Sequence, residues 1–376
     1  LLLVLEAIGP IDVFFIDTGI EFEETINYTN EIIQYLGLTD KFTLKKSKES
    51  FWENLEKFGP PAKDYRWCCK VIKLANVTEF LSERYSDKKV VTFIGIRQYE
   101  SSSRRRDRKI WTNQFLPQQI GVSPIRKWPS LLVWFFLLSQ QVKINPLYFE
   151  GYKRIGCIYC PATKLAELLL LKELHPDLYN RWMNFLKKWA KKYNLSPAWV
   201  ERGFWRWRKF KERGQINLAN EIGIAKDEIM WQKDQTSKIH LAQGINPCQD
   251  GSFSIEGRIE GYLEIKNILN QLGILGTAKY SQELGVISLR ADNFTLNLFS
   301  DGTITVRGSK EQLENKIPII SSLIKRANDC NGCGICIPSC PENALSLRDE
   351  RIWVDNNLCI NCYDCIKICP VIKYAE

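Results

Sequence analysis

The sequence predicts an α/β chain: a parallel-sheet domain over residues 1–170, a helical segment over 171–236, a small α+β domain over 237–326 and a cysteine-bearing module over 327–376. Three observations carry this reading. Short apolar runs rich in β-formers alternate with helical periodicity in the first half of the chain. Brief alternating strands with a hairpin signal fill the stretch before residue 326. Eight of the thirteen cysteines then fall after residue 329.

Each element follows from its residues. Ile11–Ile16 (IDVFFI) sits between Gly9-Pro10 and Asp17-Thr18-Gly19 and reads as a buried strand. Phe22, Ile26, Ile33 and Leu36 recur at helical spacing, and Gly37 closes that helix. Leu1–Leu5 reads as a helix before the strand. Arg66–Tyr85 has helical periodicity, and Val90–Ile96 (VVTFIGI) is a second buried strand. Alternation of this kind argues for a parallel sheet with crossover helices. Ligands in such sheets sit beyond the carboxyl ends of the strands, where Asp17–Gly19 and Arg97–Arg104 fall. Ala166, Leu169, Leu170 and Leu174 mark a helical face. Phe253–Ile259, Val286–Leu289, Phe294–Phe299 and Thr303–Val306 alternate like half-exposed strands. Asp301-Gly302 is a hairpin turn, and Leu263–Leu272 and Glu311–Ile324 read as helices.

At 376 residues the chain is long enough for two or three domains of roughly 150 residues each. Its 45% hydrophobic and 25% charged content excludes a disordered or collagen-like chain. The longest apolar run, Leu131–Leu138, falls far short of the ~20 residues of a membrane span. No basic residues precede Leu1–Leu5, so no cleavable signal is expected. A reducing, cytoplasmic compartment follows, in which dense cysteine points to metal rather than disulfides.

Cys330, Cys333, Cys336 and Cys340-Pro341 have the spacing C-x2-C-x2-C-x3-C-P, and Cys359, Cys362, Cys365 and Cys369-Pro370 repeat it. Soft thiolates in this spacing suit iron–sulfur clusters, the fourth cysteine of each run serving the other cluster. The expected sets are Cys330, Cys333, Cys336 with Cys369, and Cys359, Cys362, Cys365 with Cys340. A zinc pair is the alternative, but zinc is usually bound by two C-x2-C pairs. The segment resembles the bacterial two-cluster ferredoxins, which implies a 2[4Fe–4S] domain and electron transfer.

A second resemblance lies upstream. Asp17-Thr18-Gly19 with Phe22, Glu24 and Thr25 is similar to the D-T-G-x-x-[FY]-x-E-T segment of the phosphoadenylylsulfate reductase family. Gly95-Ile96-Arg97, Glu100-Ser101 and Arg104 resemble its G-[IL]-R-x-x-E-S-x-x-R loop. Asn145–Tyr148, Gly151-Tyr152 and Arg154–Cys157 to Cys160-Pro161 resemble its N-P-L-Y-x-x-G-Y-x-R-[IV]-G-C-x-x-C-P stretch. The resemblance implies an adenine nucleotide α-hydrolase-like fold and an adenine sulfonucleotide substrate. Arg97, Arg104 and Arg154 offer forked donors that match phosphate and sulfate oxygens. A run of three arginines, Arg104–Arg106, cannot all face one ligand. Cys68-Cys69 and, 87 residues later, Cys157-x2-Cys160 resemble the cluster-binding cysteines of iron–sulfur adenylylsulfate reductases. That implies a third [4Fe–4S] cluster, with zinc or a structural thiol role as alternatives. Arg66, Lys70 and Lys73 would offset its negative charge.

Two family features are missing. The pyrophosphate loop S-G-G-K-D-S would precede the first helix, yet the sequence opens there, on Leu rather than Met. A sequence that begins inside a longer product is the favoured expectation; real loss of the loop is the other. The nucleophilic E-C-G-[LI]-H motif is also absent, and Cys248 is the one cysteine left to replace it or to stand as an incidental thiol.

The formal charge of +9 is concentrated in Lys187–Arg213, where ten basic residues face two acidic ones. Trp189, Tyr193, Trp199, Phe204, Trp205, Trp207 and Phe210 are interleaved with them. Basic residues and stacking aromatics together suit nucleic acid; an amphipathic helical pair with core aromatics is the competing reading. The expected function is an iron–sulfur reductase of activated sulfate with its own ferredoxin relay, drawing on a low-potential donor or redox donor protein. The alternatives are a sulfur transferase acting on tRNA and an electron-transfer protein with a decayed nucleotide domain.

Overall fold

The computed structural model describes residues 1–376 except 48, 87, 114, 209–212, 226–227, 230–238, 246–252, 260–262 and 375–376. Two compact units divide the chain, Leu1–Gln232 and Lys233–Glu376. Cys248, Lys209 and Phe210 lie outside the described residues.

In the first unit α1 (Leu2–Ile8) leads to β1 (Val13–Asp17), α2 (Glu23–Tyr35), β2 (Phe42–Lys46) and α3 (Phe51–Phe58). The helix expected over Arg66–Tyr85 is a π-helical segment, Cys69–Leu74, running into α4 (Ala75–Tyr85). Then follow β3 (Val90–Phe93), α5 (Ser102–Arg106), β4 (Ile110–Asn113), β5 (Leu116–Val122) and α6 (Ser130–Ser139). β1 pairs parallel with β2, and β3 pairs parallel with β5, whose other neighbour β4 is antiparallel. The parallel pairing anticipated from the strand–helix alternation is thus present as two pieces, β1-β2 and β3-β5. The apolar run Leu131–Leu138 is helical in α6, and no helix among the described residues is long and apolar enough to cross a membrane.

α7 (Leu165–Leu174), α8 (Pro176–Lys192), α9 (Ala198–Glu201) and α10 (Arg213–Glu221) complete this unit. Here the aromatics of the basic stretch are largely core. Trp182, Trp199, Phe204 and Trp205 are at most 2% exposed, and Trp189 is 6% exposed. Trp182 stacks on Tyr159 at 4.9 Å and on Phe185 at 5.5 Å, and meets Trp205 edge-on at 5.3 Å. Spacing explains this: in α8 Trp182, Leu186 and Trp189 share one helical face, while Lys187, Lys188 and Lys191 point to water.

The second unit holds β6 (Ile239–Ile245), β7 (Phe253–Ile259), α11 (Ile265–Leu272), β8 (Thr277–Ser281), β9 (Val286–Arg290), β10 (Phe294–Phe299), β11 (Thr303–Gly308) and α12 (Lys310–Asp329). Its sheet is antiparallel throughout, in the order β6-β7-β11-β10-β9-β8. The Asp301-Gly302 turn is formed, with Gly302 at φ 90°, where an added Cβ would lie 2.2 Å from the Ile259 carbonyl oxygen. The cysteine module adds the hairpin β12 (Leu345–Arg348) and β13 (Arg351–Val354), then α13 (Asp364–Ile368) and α14 (Pro370–Tyr374). Ile268, Leu323, Ile324 and Ala327 share one core with Cys336, Ile352, Val354 and Ile366, so module and sheet domain fold against each other.

Trp182→Ala removes the centre of the aromatic core and is expected to cost about 3–5 kcal/mol. Trp182→Phe keeps the stacking, and the indole N–H it deletes has no partner, so it should cost far less. Anaerobic chemical denaturation of both variants checks the ordering.

Candidate functional site

The loop after β1 is the centre of the first site. Gly19 takes φ 74°, and its N–H donates to Asp17 Oδ1 at 2.8 Å, so the chain folds back at once. Thr18, 3% exposed, donates through Oγ1 to Glu21 Oε1 at 2.9 Å. The thiol of Cys157 donates to the same oxygen at 3.4 Å, and Thr18 Oγ1 lies 3.9 Å from its sulfur. The Ile158 N–H donates to Ile20 O at 2.8 Å. Lys73 Nζ stands 3.9 Å from Glu21 Oε1. The Asp17–Gly19 motif and the Cys157–Cys160 motif, far apart in sequence, are therefore one structure. Glu21, which joins them, was not singled out from sequence, because a lone carboxylate after D-T-G carries no spacing signal.

Cys68 immediately precedes the π-helical segment and Cys69 opens it, and Cys68 lies within electrostatic reach of Cys69, Cys157 and Cys160. All four thiols are thus brought together. A hydrogen bond to Cys69, with burial and the neighbouring thiols, pushes the Cys68 thiol well up. The same bond, aided by Lys73, Arg66 and Lys70, lowers Cys69 to about 6 against the opposing effect of burial. Burial and Glu21 push Cys157 up to about 12. Burial opposes the charge of Lys73, yet Cys157, Glu21 and Cys69 outweigh it and raise its pKa. Soft donors with cations at their backs fit an anionic iron–sulfur group. Among the described residues no three His, Cys, Asp or Glu side chains close to the distances of a single bound ion.

Beside the thiols lies an arginine group. Burial, then Arg154, Arg66 and Arg97, lower the pKa of Arg104 against the opposing charge of Asp107, so Arg104 lies within electrostatic reach of three further guanidinium groups. Glu100 holds two of them: Arg97 Nε lies 3.3 Å from its Oε1, and Arg104 Nη1 contacts its Oε2. Arg97 also donates to Ser130 Oγ at 2.9 Å. Ser101 caps α5 by accepting from the Arg104 N–H at 3.2 Å. Arg105 and Arg106 point to solvent, as the run of three required. Arg126, unmarked by any motif, braces the loop. Its guanidinium donates to Gln98 Oε1 at 2.7 Å, Asp107 O at 2.6 Å and Arg105 O at 2.9 Å. Gly95 faces open space, its nearest neighbour for an added Cβ being Ile125 at 3.9 Å. Asn145 ties the N-P-L-Y turn to α2 by donating to Thr25 Oγ1 at 3.1 Å. Arg66 is the link between the two groups, since it reaches both Cys69 and Arg104.

In the second unit Cys336 reaches Cys369, Cys333 and Cys330, while Cys359 reaches Cys365, Cys340 and Cys362. Cys369 thus stands near the first run and Cys340 near the second, within electrostatic reach rather than, among the described residues, at the distances of a bound ion. Gly332 and Gly334 have φ 64° and 70°, and Asn361 and Tyr363, their counterparts in the second run, have φ 60° and 62°. Left-handed residues at matching places wrap each loop so that backbone N–H groups turn inward. Ile352 N–H donates to Cys330 Sγ at 3.4 Å and Ala344 N–H to Cys340 Sγ at 3.3 Å. Burial raises Cys333 and Cys336, and pushes Cys369 up to about 11. Buried thiols ringed by N–H donors fit cluster ligation.

Arg206, read from sequence as part of a basic surface, is 6% exposed. Its Nε donates to Pro161 O at 3.0 Å and its Nη2 to Thr163 O, so it tethers the turn that follows Cys160.

Residues 1–163 match the family model of the phosphoadenosine phosphosulfate reductase domain, and residues 329–372 match the 4Fe-4S dicluster domain, which holds two such clusters. Two uncharacterized proteins of Methanocaldococcus jannaschii are similar to this chain. One is 41% identical over 209 residues, 55% of this chain and 43% of the relative. The other is 40% identical over 219 residues, 57% of this chain and 51% of the relative. The chain thus spans about half the length of these relatives. An adenosine 5'-phosphosulfate reductase of Mycolicibacterium smegmatis is 30% identical over 161 residues, 41% of this chain and 63% of that enzyme. The phosphoadenylyl-sulfate reductase structure from Candida auris aligns at 22% identity and TM-score 0.32, over 42% of this chain and 73% of that one.

Arg206→Ala is expected to destabilise the protein by about 3 kcal/mol, the range for losing hydrogen bonds from a charged donor. Lys188→Ala, on the exposed face of α8, should stay within about 0.5 kcal/mol. Denaturant midpoints of the two variants measure the contrast.

Proposed function

We propose, for a chain that carries a phosphoadenosine phosphosulfate reductase domain followed by a 4Fe-4S dicluster domain, that it reduces an adenine sulfonucleotide to sulfite. The observation that carries this reading is the group Arg66, Arg97, Arg104 and Arg154 beside four convergent thiols. Glu100 balances part of the positive charge of this group, and an anionic ligand would balance the rest. A sulfonucleotide brings a phosphate and a sulfate joined by one oxygen. Arg97 and Arg104, held apart by Glu100, present forks to such oxygens. In the reaction the bond from sulfur to the bridging oxygen breaks. The nucleotide leaves with that oxygen, and sulfur takes two electrons to become sulfite.

Iron–sulfur clusters supply electrons one at a time. Cys330, Cys333, Cys336 and Cys369 would hold one, Cys359, Cys362, Cys365 and Cys340 a second, and Cys68, Cys69, Cys157 and Cys160 a third. Asp17, Thr18 and Gly19 shape the nucleotide side of the site, and Gly95 leaves room for it. A low-potential donor would feed the dicluster domain. The nucleic-acid reading loses support because the aromatics that would stack bases, Trp189, Trp199, Phe204 and Trp205, are buried.

Two measurements test the proposal. Anaerobically prepared protein should contain about 12 iron atoms per chain, and Cys157→Ser should lower this to about eight. Eight iron with one zinc in the unaltered protein would remove the third cluster. Arg97→Ala and Arg154→Ala should each weaken adenylylsulfate binding by about 1.5–3 kcal/mol without changing iron content. Titrations unchanged for both adenylylsulfate and its 3′-phosphorylated form would reject the site.

A further inference from the structure

Arg326 is the most deeply buried cation among the described residues, 1% exposed near the end of α12. Its Nε donates to Gln271 Oε1 at 2.7 Å. Both remaining nitrogens, Nη1 and Nη2, are buried and find no oxygen or nitrogen partner. The one side chain close enough to share a hydrogen bond with this guanidinium besides Gln271 is the thiol of Cys365. Buried donors in a native fold are almost always satisfied, and a buried guanidinium without an anion is costly. The groups within its electrostatic reach are thiols: Cys365 of one ligand set, and Cys336 and Cys369 of the other. They outweigh the burial that opposes its charge.

The anchoring of this side chain is rigid. Gln271, 2% exposed, also donates through Nε2 to Ile352 O at 2.9 Å. Its neighbour Asn270 donates to Val354 O at 2.8 Å and accepts from Val354 N–H at 2.9 Å. α11 is thereby clamped to β13, and the guanidinium plane is fixed from the α+β side. Arg351 adds a second clamp, donating to Ala327 O at 2.8 Å and Asn328 O at 3.1 Å, the residues directly after Arg326.

We propose that Arg326 is a positioning residue of the dicluster centre, a permanent positive charge set between the two thiolate sets that raises the reduction potential of both clusters. Reduction adds one electron to a cluster and makes it more anionic, so a nearby fixed cation favours the reduced form. Arg326 stays protonated in both states. Gln271 and Asn270 then make the α+β domain part of the redox unit, because they aim this charge. The inference rests on the dicluster domain alone, not on the sulfonucleotide reading, and its test uses no nucleotide.

The test is an anaerobic redox titration of the full chain, followed by electron paramagnetic resonance, with iron content measured beside it. Arg326→Gln should shift both dicluster midpoints negative by at least a tenfold change in the reduced-to-oxidised ratio, 59 mV for a one-electron couple. Arg326→Lys, which keeps the charge, should recover part of the shift. Gln271→Glu puts a carboxylate against Nε with the guanidinium retained, and it too should shift both midpoints negative. Should Arg326→Gln fail to assemble its clusters, Gln271→Glu decides. Unchanged midpoints in Gln271→Glu, or in Arg326→Gln with full iron, would overturn the proposal.

Discussion

Sulfur has to be buried and negative at once, and the charged residues of both units are arranged around that requirement. Thiols taken out of water resist ionisation, as Cys157 and Cys369 show with values pushed up to about 12 and about 11. Each unit meets the cost differently. The first brings full charges, Lys73, Lys70 and Arg66, to the turn that carries Cys68 and Cys69. The second leans on backbone dipoles, turned inward by left-handed residues at Gly332, Gly334, Asn361 and Tyr363. It adds one interior cation, Arg326. The difference follows from the chain. Two loops of three cysteines each can wrap a group with their own N–H donors, whereas an adjacent pair meeting a distant pair leaves fewer donors and needs side chains.

What was legible in the sequence was whatever is local. The cysteine runs state their spacing outright, and the crossed pairing follows from it. β1, α2, β7, β10 and β11 announce themselves by apolar period and turn residues. β2 (FTLKK) does not, because two of its five residues are lysines and it lacks an apolar run. β5 hides behind Pro117 and Gly121, and Gly121 is required because an added Cβ would sit 2.3 Å from the Trp111 ring. β8 is a mostly exposed edge strand with little to mark it. The basic, aromatic stretch allowed two readings, a nucleic-acid surface and an amphipathic helical pair with core aromatics, and burial favours the second. Its composition resembles a nucleic-acid surface, but a 3.6-residue period sorts Trp182 and Trp189 inward and the lysines outward.

Residues whose role is to hold other residues left no trace in the sequence at all. Glu21 joins Thr18, Cys157 and Lys73. Arg126 braces the arginine loop through three acceptors. Arg206 holds the Cys-Pro turn. Glu21 and Arg126 stand in no repeat, spacing or charge run, and the charge run that holds Arg206 points to a surface rather than to a buried tether. Each bonds to at least one residue more than twenty positions away, so only the fold reveals it.

The relation between the arginine group and the thiols carries a further constraint. A multiply charged anion drawn to Arg97, Arg104 and Arg154 would approach a second anionic centre at the thiols. Two like unit charges ~4 Å apart at an effective dielectric of about 20 repel by about 4 kcal/mol. A cation between them turns much of that repulsion into two attractions. Arg66 is the residue so placed, because it lies two positions before Cys68 and reaches both Cys69 and Arg104. Its side chain is held locally: Nε donates to Lys63 O at 3.1 Å, and the buried Trp67 beside it is pinned by its indole N–H to Gly59 O at 3.0 Å. A short stretch of chain, Arg66-Trp67-Cys68-Cys69, therefore anchors itself in the core with one residue and compensates charge with another. It supplies sulfur with the remaining two. Such an arrangement would let an anion bound at the arginines sit near the thiols in this unit.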